Sequence, residues 1–171
     1  PAPTGTFTLH TGELIEGDYV IYYSGKAMKA LLDTKNRLQY EEVTPTDNKI
    51  VDPLVATIWH IAPTGTNWTV YNETVSKYAA STGTKSEADL VADLTGDNAN
   101  KAAWTVTASG NAYEFVNVWN KSKSVNANLR NNTTYGFACY ATGTGGALSL
   151  YRKAGTMYNV TVSSTTNGTV T

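Results

Sequence analysis

Three stretches of this chain follow one template, in which an aromatic residue, a spacer and an apolar residue open a strand. They are Tyr19-Val20-Ile21-Tyr22-Tyr23, Trp68-Thr69-Val70-Tyr71-Asn72 and Tyr113-Glu114-Phe115-Val116-Asn117. Alternation with period two marks each as a β-strand. Each is followed by a segment of Lys/Ala character: Lys26 to Ala30, Lys77 to Ala80, and Ser124 to Leu129. These read as return strands of hairpins, turning through Ser24-Gly25, Glu73 to Ser76 and Trp119 to Lys123. A repeat at this period confines the chain to architectures that set equivalent units side by side, since one such unit cannot bury its own apolar face.

A third strand per unit reads at Arg37 to Tyr40, Asp89 to Ala92 and Tyr135 to Tyr140, and a fourth at Ile58 to Ile61, Ala103 to Val106 and Ser149 to Arg152. Within the fourth strands the large apolar anchors Trp59, Trp104 and Leu150 recur about every 45 residues. Four short strands in each of three units close into a barrel capped by hairpins, which leaves few edges exposed. The fold class is therefore all-β, and the expected architecture is a β-trefoil. Only Lys85 to Leu94 has helical spacing, between Gly83 and Gly96, so at most one short helix is expected.

Both ends fall outside the repeat. Residues 1–12 are rich in Pro, Thr and Gly and are expected to form an N-terminal arm, residues 13–154 the trefoil domain, and residues 155–171 a C-terminal extension. The tail from Met157, with Asn167-Gly168 set between alternating residues, resembles the opening strands of bacterial surface repeats of the internalin-associated kind. That resemblance implies a following module.

Composition narrows the partners. Thirteen basic and 14 acidic residues leave a net charge of −1, without the surplus that holds a polyphosphate, so nucleic acid is not an expected partner. No apolar run approaches a membrane span, and the first six residues lack the features of a signal peptide. Only 16% of residues are charged, and abundant Thr, Asn, Ser, Gly and Tyr point to a secreted or cell-surface β-protein. The single Cys139, flanked by Ala138 and Tyr140, reads as a buried small hydrophobe.

The segments from Trp68 to Ala79 and from Tyr113 to Ser124 resemble the repeat of ricin B-like lectin trefoils: an apolar strand, an Asn, a Ser/Gly turn, then Lys and an aromatic or Leu. The resemblance runs from Leu14 to Lys153 and implies a carbohydrate-binding module. One departure stands out. The Gln that family places two residues before its closing Trp is replaced here by Thr57 and Ala102, and the Asp that orients a sugar hydroxyl is not identifiable, so the family's galactose site does not carry over.

A sugar site needs a flat apolar face for the ring and planar polar groups for its hydroxyls. The third repeat offers Trp119 and Asn120 at a hairpin turn, then Asn126, Asn128, Arg130, Asn131, Asn132 and Tyr135 in the strand and loop that follow. Trp119 fits a sugar platform, a contact with a neighbouring domain, or a lid over the barrel. Tyr22 and Tyr71, with Tyr23, form a second candidate patch, whereas Tyr19, Trp68 and Tyr113 read as core. Asn72 and Asn117 are expected to satisfy backbone groups in turns.

No catalytic set is recognisable: nucleophile elbow, P-loop and dinucleotide fingerprint are all missing, and Glu41-Glu42 would diverge onto opposite strand faces. His10 and His60 lack zinc spacing, no cofactor is implied, and Asp93 to Asn98 reads as a solvated turn in preference to a calcium loop. The leading expectation is a non-catalytic, carbohydrate-binding accessory module of a larger secreted or cell-surface bacterial protein, with a glycan and neighbouring domains as its partners. The alternative is a structural or protein-interaction module that docks or spaces a catalytic neighbour. A trefoil protease inhibitor presenting Thr44 to Asp52 is a third.

Overall fold

The computed structural model of the chain describes residues 2–155; the proposed C-terminal module at 157–171 lies outside them. Fourteen strands form one hydrogen-bonded network. Six of them close a ring. The strand β2 (Gly17–Tyr23) pairs with β6 (Ile58–Thr64), β6 with β7 (Asn67–Asn72), β7 with β10 (Trp104–Ser109), β10 with β11 (Ala112–Asn117), and β14 (Ser149–Lys153) with β2. A two-way hydrogen bond between Tyr113 and Leu148 joins β11 to the start of β14 and shuts the barrel.

Three hairpins cap one end of the ring: β3 (Lys26–Leu32) with β4 (Leu38–Glu42), β8 (Lys77–Ala80) with β9 (Asp89–Val91), and β12 (Asn128–Asn131) with β13 (Phe137–Tyr140). The sequence periodicity shows directly in burial. Along β11, Tyr113, Phe115 and Asn117 are buried while Ala112, Glu114 and Val116 are half-exposed, as a pleated strand with one face on the core requires. The turn from β2 to β3 places Ser24 and Gly25 at φ of 47° and 87°, the paired positive values that a two-residue hairpin needs.

The core holds Trp59 and Trp104 with Tyr19, Ile21, Met28, Leu38, Ile61, Val70, Phe115, Leu129, Phe137 and Leu150. The expected anchors are thus all buried, but the third is displaced by two residues. Trp59 stands opposite Tyr19, Trp104 opposite Trp68, and the residue opposite Tyr113 is Leu148. Leu148 is the true equivalent, and Leu150 lies one step further along the same face. Trp68 is only half-buried, so it is not the core counterpart of Tyr19 and Tyr113 that the repeat suggested.

The N-terminal segment is more than an arm. Thr6–His10 forms β1, which pairs with β14 on one side and with β5 (Lys49–Val51) on the other. Phe7 is fully buried, with Val20, Ala27, Ile50 and Tyr151, in a second apolar cluster. The Pro/Thr/Gly composition hid a single strand in which Phe7 points inward and Leu9 packs against the same cluster. The same pairing ties down the stretch suggested as an inhibitory loop, because Leu9 N–H donates to Asn48 O and Asp52 N–H to Gly5 O. Within segment 44–52, Lys49–Val51 is therefore a strand paired with β1, and the segment is not a free extended loop.

Helix also differs from expectation. Residues 85–94 carry β9 and no helix, while α1 (Asn98–Lys101) and α2 (Val118–Ser122) are single turns. Helix α2 replaces the expected turn after β11 because Asn117 caps it, its Oδ1 accepting from Asn120 N–H at 3.0 Å.

Candidate functional site

Most of the third-repeat candidates turn out to be internal. Asn120, Arg130 and Asn131 are buried. Asn120 Nδ2 donates to Asn126 O at 2.8 Å, and Arg130 pairs with Glu114 and donates to the carbonyls of Thr142 and Thr144. Arg130 thereby braces the loop that leads back to β14, and all three side chains are withdrawn from solvent, so they offer no surface to a ligand. The sequence alone counts polar groups; which of them already have partners depends on how β11, β12 and the 141–147 loop fold together.

Trp119 lies on α2, half-buried, with the Lys123 ammonium 4.3 Å and the Lys101 ammonium 5.6 Å from its ring centroid. Its indole edge rests on Gly83, where a Cβ would sit 3.0 Å from Nε1. The ring is held by cations and backbone and does not stand clear as an open platform. Tyr135 is 53% exposed, with the Arg37 guanidinium 4.7 Å from its centroid. Asn126 is exposed and Asn128 donates to Glu114.

Tyr22 and Tyr71 do not share a patch. Tyr71 is opposite His60 on β6, whereas Tyr22 is opposite Ser149 on β14, so the two are equivalent residues on different repeats. Tyr22 packs edge-to-face on Tyr151 at 5.5 Å beside the β1 cluster, and its hydroxyl accepts from Gly25 N–H. Asn72 and Asn117 satisfy backbone groups, as expected: Asn72 donates to Ala56 O and Ile58 O, and Asn117 to Lys101 O.

The pseudo-threefold axis makes the functional surface easier to find, because it shows what each repeat does at the same place. Directly after Trp59, Trp104 and Leu148 come His60, Thr105 and Ser149, which face Tyr71, Val116 and Tyr22. The neighbour on the other flank is Asp18 for His60 and Asn67 for Thr105, whose hydroxyl donates to Asn67 Oδ1 at 2.9 Å. The Thr105 row is short and polar, and the Ser149 row lies beside the β1 cluster. Only the row through His60 combines charge with aromatic surface.

That row crosses four strands in register: Asp18 on β2, His60 on β6, Tyr71 on β7 and Tyr78 on β8. The Tyr71 and Tyr78 rings meet at 4.8 Å between centroids with a 58° tilt. Asp18, His60 and Tyr71 of this row line a cleft of about 770 Å³ whose wall also includes Pro3, Ile58, Glu73, Thr74 and Lys153, a volume suited to a small ligand. A smaller cleft of about 300 Å³ is lined by Glu13, Leu14, Trp68, Val106, Thr107 and Tyr113.

At the end of the row His60 sits between two carboxylates, with Nδ1 2.8 Å from Asp18 Oδ1 and Nε2 3.2 Å from Glu16 Oε2. A carboxylate only accepts, so the geometry calls for an N–H on both ring nitrogens, which the imidazolium alone has. Partial burial works against that charge, but the hydrogen bonds and attraction of Asp18 and Glu16 outweigh it and hold the His60 pKa above its ordinary value. The sequence put His60 beside a core Trp and went no further. Asp18 and Glu16 are more than forty positions away, and only barrel closure brings them to it.

Elsewhere the chemistry is quiet. Asp93 Oδ1 accepts from Thr95 N–H, Thr95 Oγ1 and Asn98 Nδ2, so that loop is organised by its own turn. Among the described residues no group of three or more His, Cys, Asp and Glu is arranged to hold a metal ion, and no helix is long and apolar enough to cross a membrane.

Solved structures share this architecture. A structure described as SeviL bound to asialo-GM1 saccharide is 17% identical, with a TM-score of 0.56 over 82% of this chain and 100% of that one. A salivary protein from Culex quiquefasciatus, of the Cysteine and Tryptophan-Rich family, is 19% identical with a TM-score of 0.58, covering 83% and 96%. A GlcNAcα1-4Gal releasing endo-β-galactosidase from Clostridium perfringens is 13% identical with a TM-score of 0.59, covering 81% of this chain and 32% of the other. The chain is a β-trefoil. Identities this low establish the fold and leave function to the site. No protein-family model matches the chain, and no curated protein matches it.

Proposed function

We propose that this β-trefoil is a non-catalytic carbohydrate-binding module that receives a saccharide in the cleft along Asp18, His60 and Tyr71. The observation that carries the reading is the row itself. The Tyr71 ring, backed by Tyr78, gives apolar surface for a sugar ring, and the Asp18 and Glu73 carboxylates beside it accept from its hydroxyls. The other two repeats place Thr105 and Ser149 where this one has His60, which supports a single site per chain. Exposed Tyr135 is a second, peripheral contact.

A glycan array probed with the full chain tests the reading. Binding that Tyr71→Ala or Asp18→Asn removes from a folded protein supports it. Binding that survives both substitutions moves the site elsewhere. The remainder of the proposal is that the module serves a larger secreted or surface-anchored bacterial protein, and it is supported by the weak tail resemblance and by a polar, Thr- and Asn-rich composition.

A second reading has its own observation. Val51, Leu54 and Val55 are 66%, 55% and 54% exposed, and Val55 borders the same cleft. Exposed apolar side chains on one short segment suit a module that docks a neighbouring domain. A blank glycan array together with burial of Val55 in the longer protein favours this reading over the first.

A further inference from the structure

We propose that Glu16, His60 and Asp18 form a proton-operated clamp, which ties the segment before β2 to the cleft residue His60 while the imidazole is charged and releases it when the proton leaves. The proposal rests on the saccharide reading for its consequence, and on geometry alone for its existence.

The clamp joins the outer faces of two pieces of chain whose inner faces meet in the core. Asp18 belongs to β2 and His60 to β6, while Glu16 lies in the exposed segment before β2. Glu16 is held at its backbone, where its carbonyl accepts from Arg152 Nη2 at 3.1 Å. Its side chain is held only by His60 Nε2. Arg152 can lie there because residue 17 is glycine, since a Cβ at Gly17 would come within 2.8 Å of Arg152 Nε. The backbone is thereby anchored and the carboxylate is left to the imidazole.

Loss of one proton leaves a neutral ring with one N–H and one lone pair. Nδ1 is the nitrogen with the shorter contact, at 2.8 Å, so the remaining hydrogen stays toward Asp18. The Nε2 lone pair then faces the Glu16 carboxylate, two acceptors meet, and Glu16 swings into solvent. The other charged or titratable groups around the ring are few. Tyr71 flanks it from β7, Glu73 follows β7 in the cleft wall, and Arg152 and Lys153 approach from β14. With Asp18 and Glu73 on the wall against Lys153, the cleft suits a neutral saccharide that donates hydroxyls, and release of Glu16 loosens the segment that leads into Asp18.

The predicted behaviour is tighter binding below neutrality and weaker binding above it. Imidazole NMR of the full chain without ligand tests the clamp itself. The His60 midpoint is expected above that of an unfolded histidine, to fall in both Glu16→Gln and Asp18→Asn, and to be mirrored by Tyr71 ring signals that stop titrating in His60→Gln. A midpoint in the ordinary histidine range, or Tyr71 signals indifferent to it, overturns the clamp.

For a saccharide identified on the array, affinity should drop roughly tenfold between about pH 6 and about pH 8.5 in the wild type and stay level in His60→Gln. Equal affinity at both pH values overturns the gating and leaves the saccharide reading intact. An array blank at every pH, with the NMR coupling present, removes the saccharide reading and upholds the clamp.

Discussion

Trp59 and Trp104 make the same hydrogen bond one repeat apart: each indole Nε1 donates to a carbonyl of a cap hairpin, that of Met28 at 2.9 Å and that of Ala79 at 3.0 Å. Both rings are fully buried, so each one fills the barrel wall and ties the cap to it. The third repeat has Leu148 at this place, which fills space but donates nothing. Removing either indole leaves both a void and a buried carbonyl short of its donor.

Trp59→Ala and Trp104→Ala should therefore each cost about 3–5 kcal/mol, enough to unfold a domain of ordinary stability. Urea denaturation of the two variants checks this. Trp119→Ala, on half-exposed α2, should cost about 1 kcal/mol or less. An equal loss in all three would mean that Trp119 shares the core role.

The N-terminal strand should prove necessary. Phe7→Ala is expected to cost about 3–5 kcal/mol, since Phe7 is fully buried between β14 and β5, and deletion of residues 1–10 should cost more. A truncated chain that melts with the full one would restore the view of this segment as a loose arm.

Stability should depend on pH through His60. Its folded pKa is raised above the ordinary 6.5, so the contribution is fully present below that value and is lost as pH rises through the folded value. Melting temperature of the wild type should fall relative to His60→Gln over that window. Parallel curves from about pH 5 to about pH 9 would show that the clamp adds nothing to folding.

Cys139 should stay silent toward alkylating reagents. Burial pushes its thiol up to about 12, and the side chain has no solvent-facing surface; the nucleophile is the thiolate. Mass spectrometry should find no adduct on the native chain near pH 8 and complete labelling in denaturant. Comparable labelling in both states would place the thiol outside the core.

The pattern that repeats in the sequence is the pattern that the barrel needs. Aromatic and apolar residues at equivalent places, such as Tyr19 with Tyr113 and Trp59 with Trp104, face one shared core, so each repeat must keep them and simple alternation reveals them. Hairpin turns were legible for the same local reason, with Ser24-Gly25 supplying the positive φ values. Leu148 was missed in favour of Leu150 because both point inward on one strand, and only pairing with Tyr113 tells them apart. Phe7 was missed because its strand lies outside the threefold repeat, although Phe7 and Leu9 alternate with Thr6, Thr8 and His10.

The site behaves in the opposite way. Asn120, Arg130 and Asn131 looked available because a sequence lists polar groups without their surroundings, and the folded chain buries all three, with Asn120 and Arg130 bonded inside. Glu16, Asp18, His60 and Tyr71 looked unrelated because they are scattered over three strands and a loop. Outer positions carry no packing demand shared among repeats, so they leave no periodic trace. What joins them is the register of β2, β6 and β7, set by closure of the barrel, and that is a property of the tertiary structure alone.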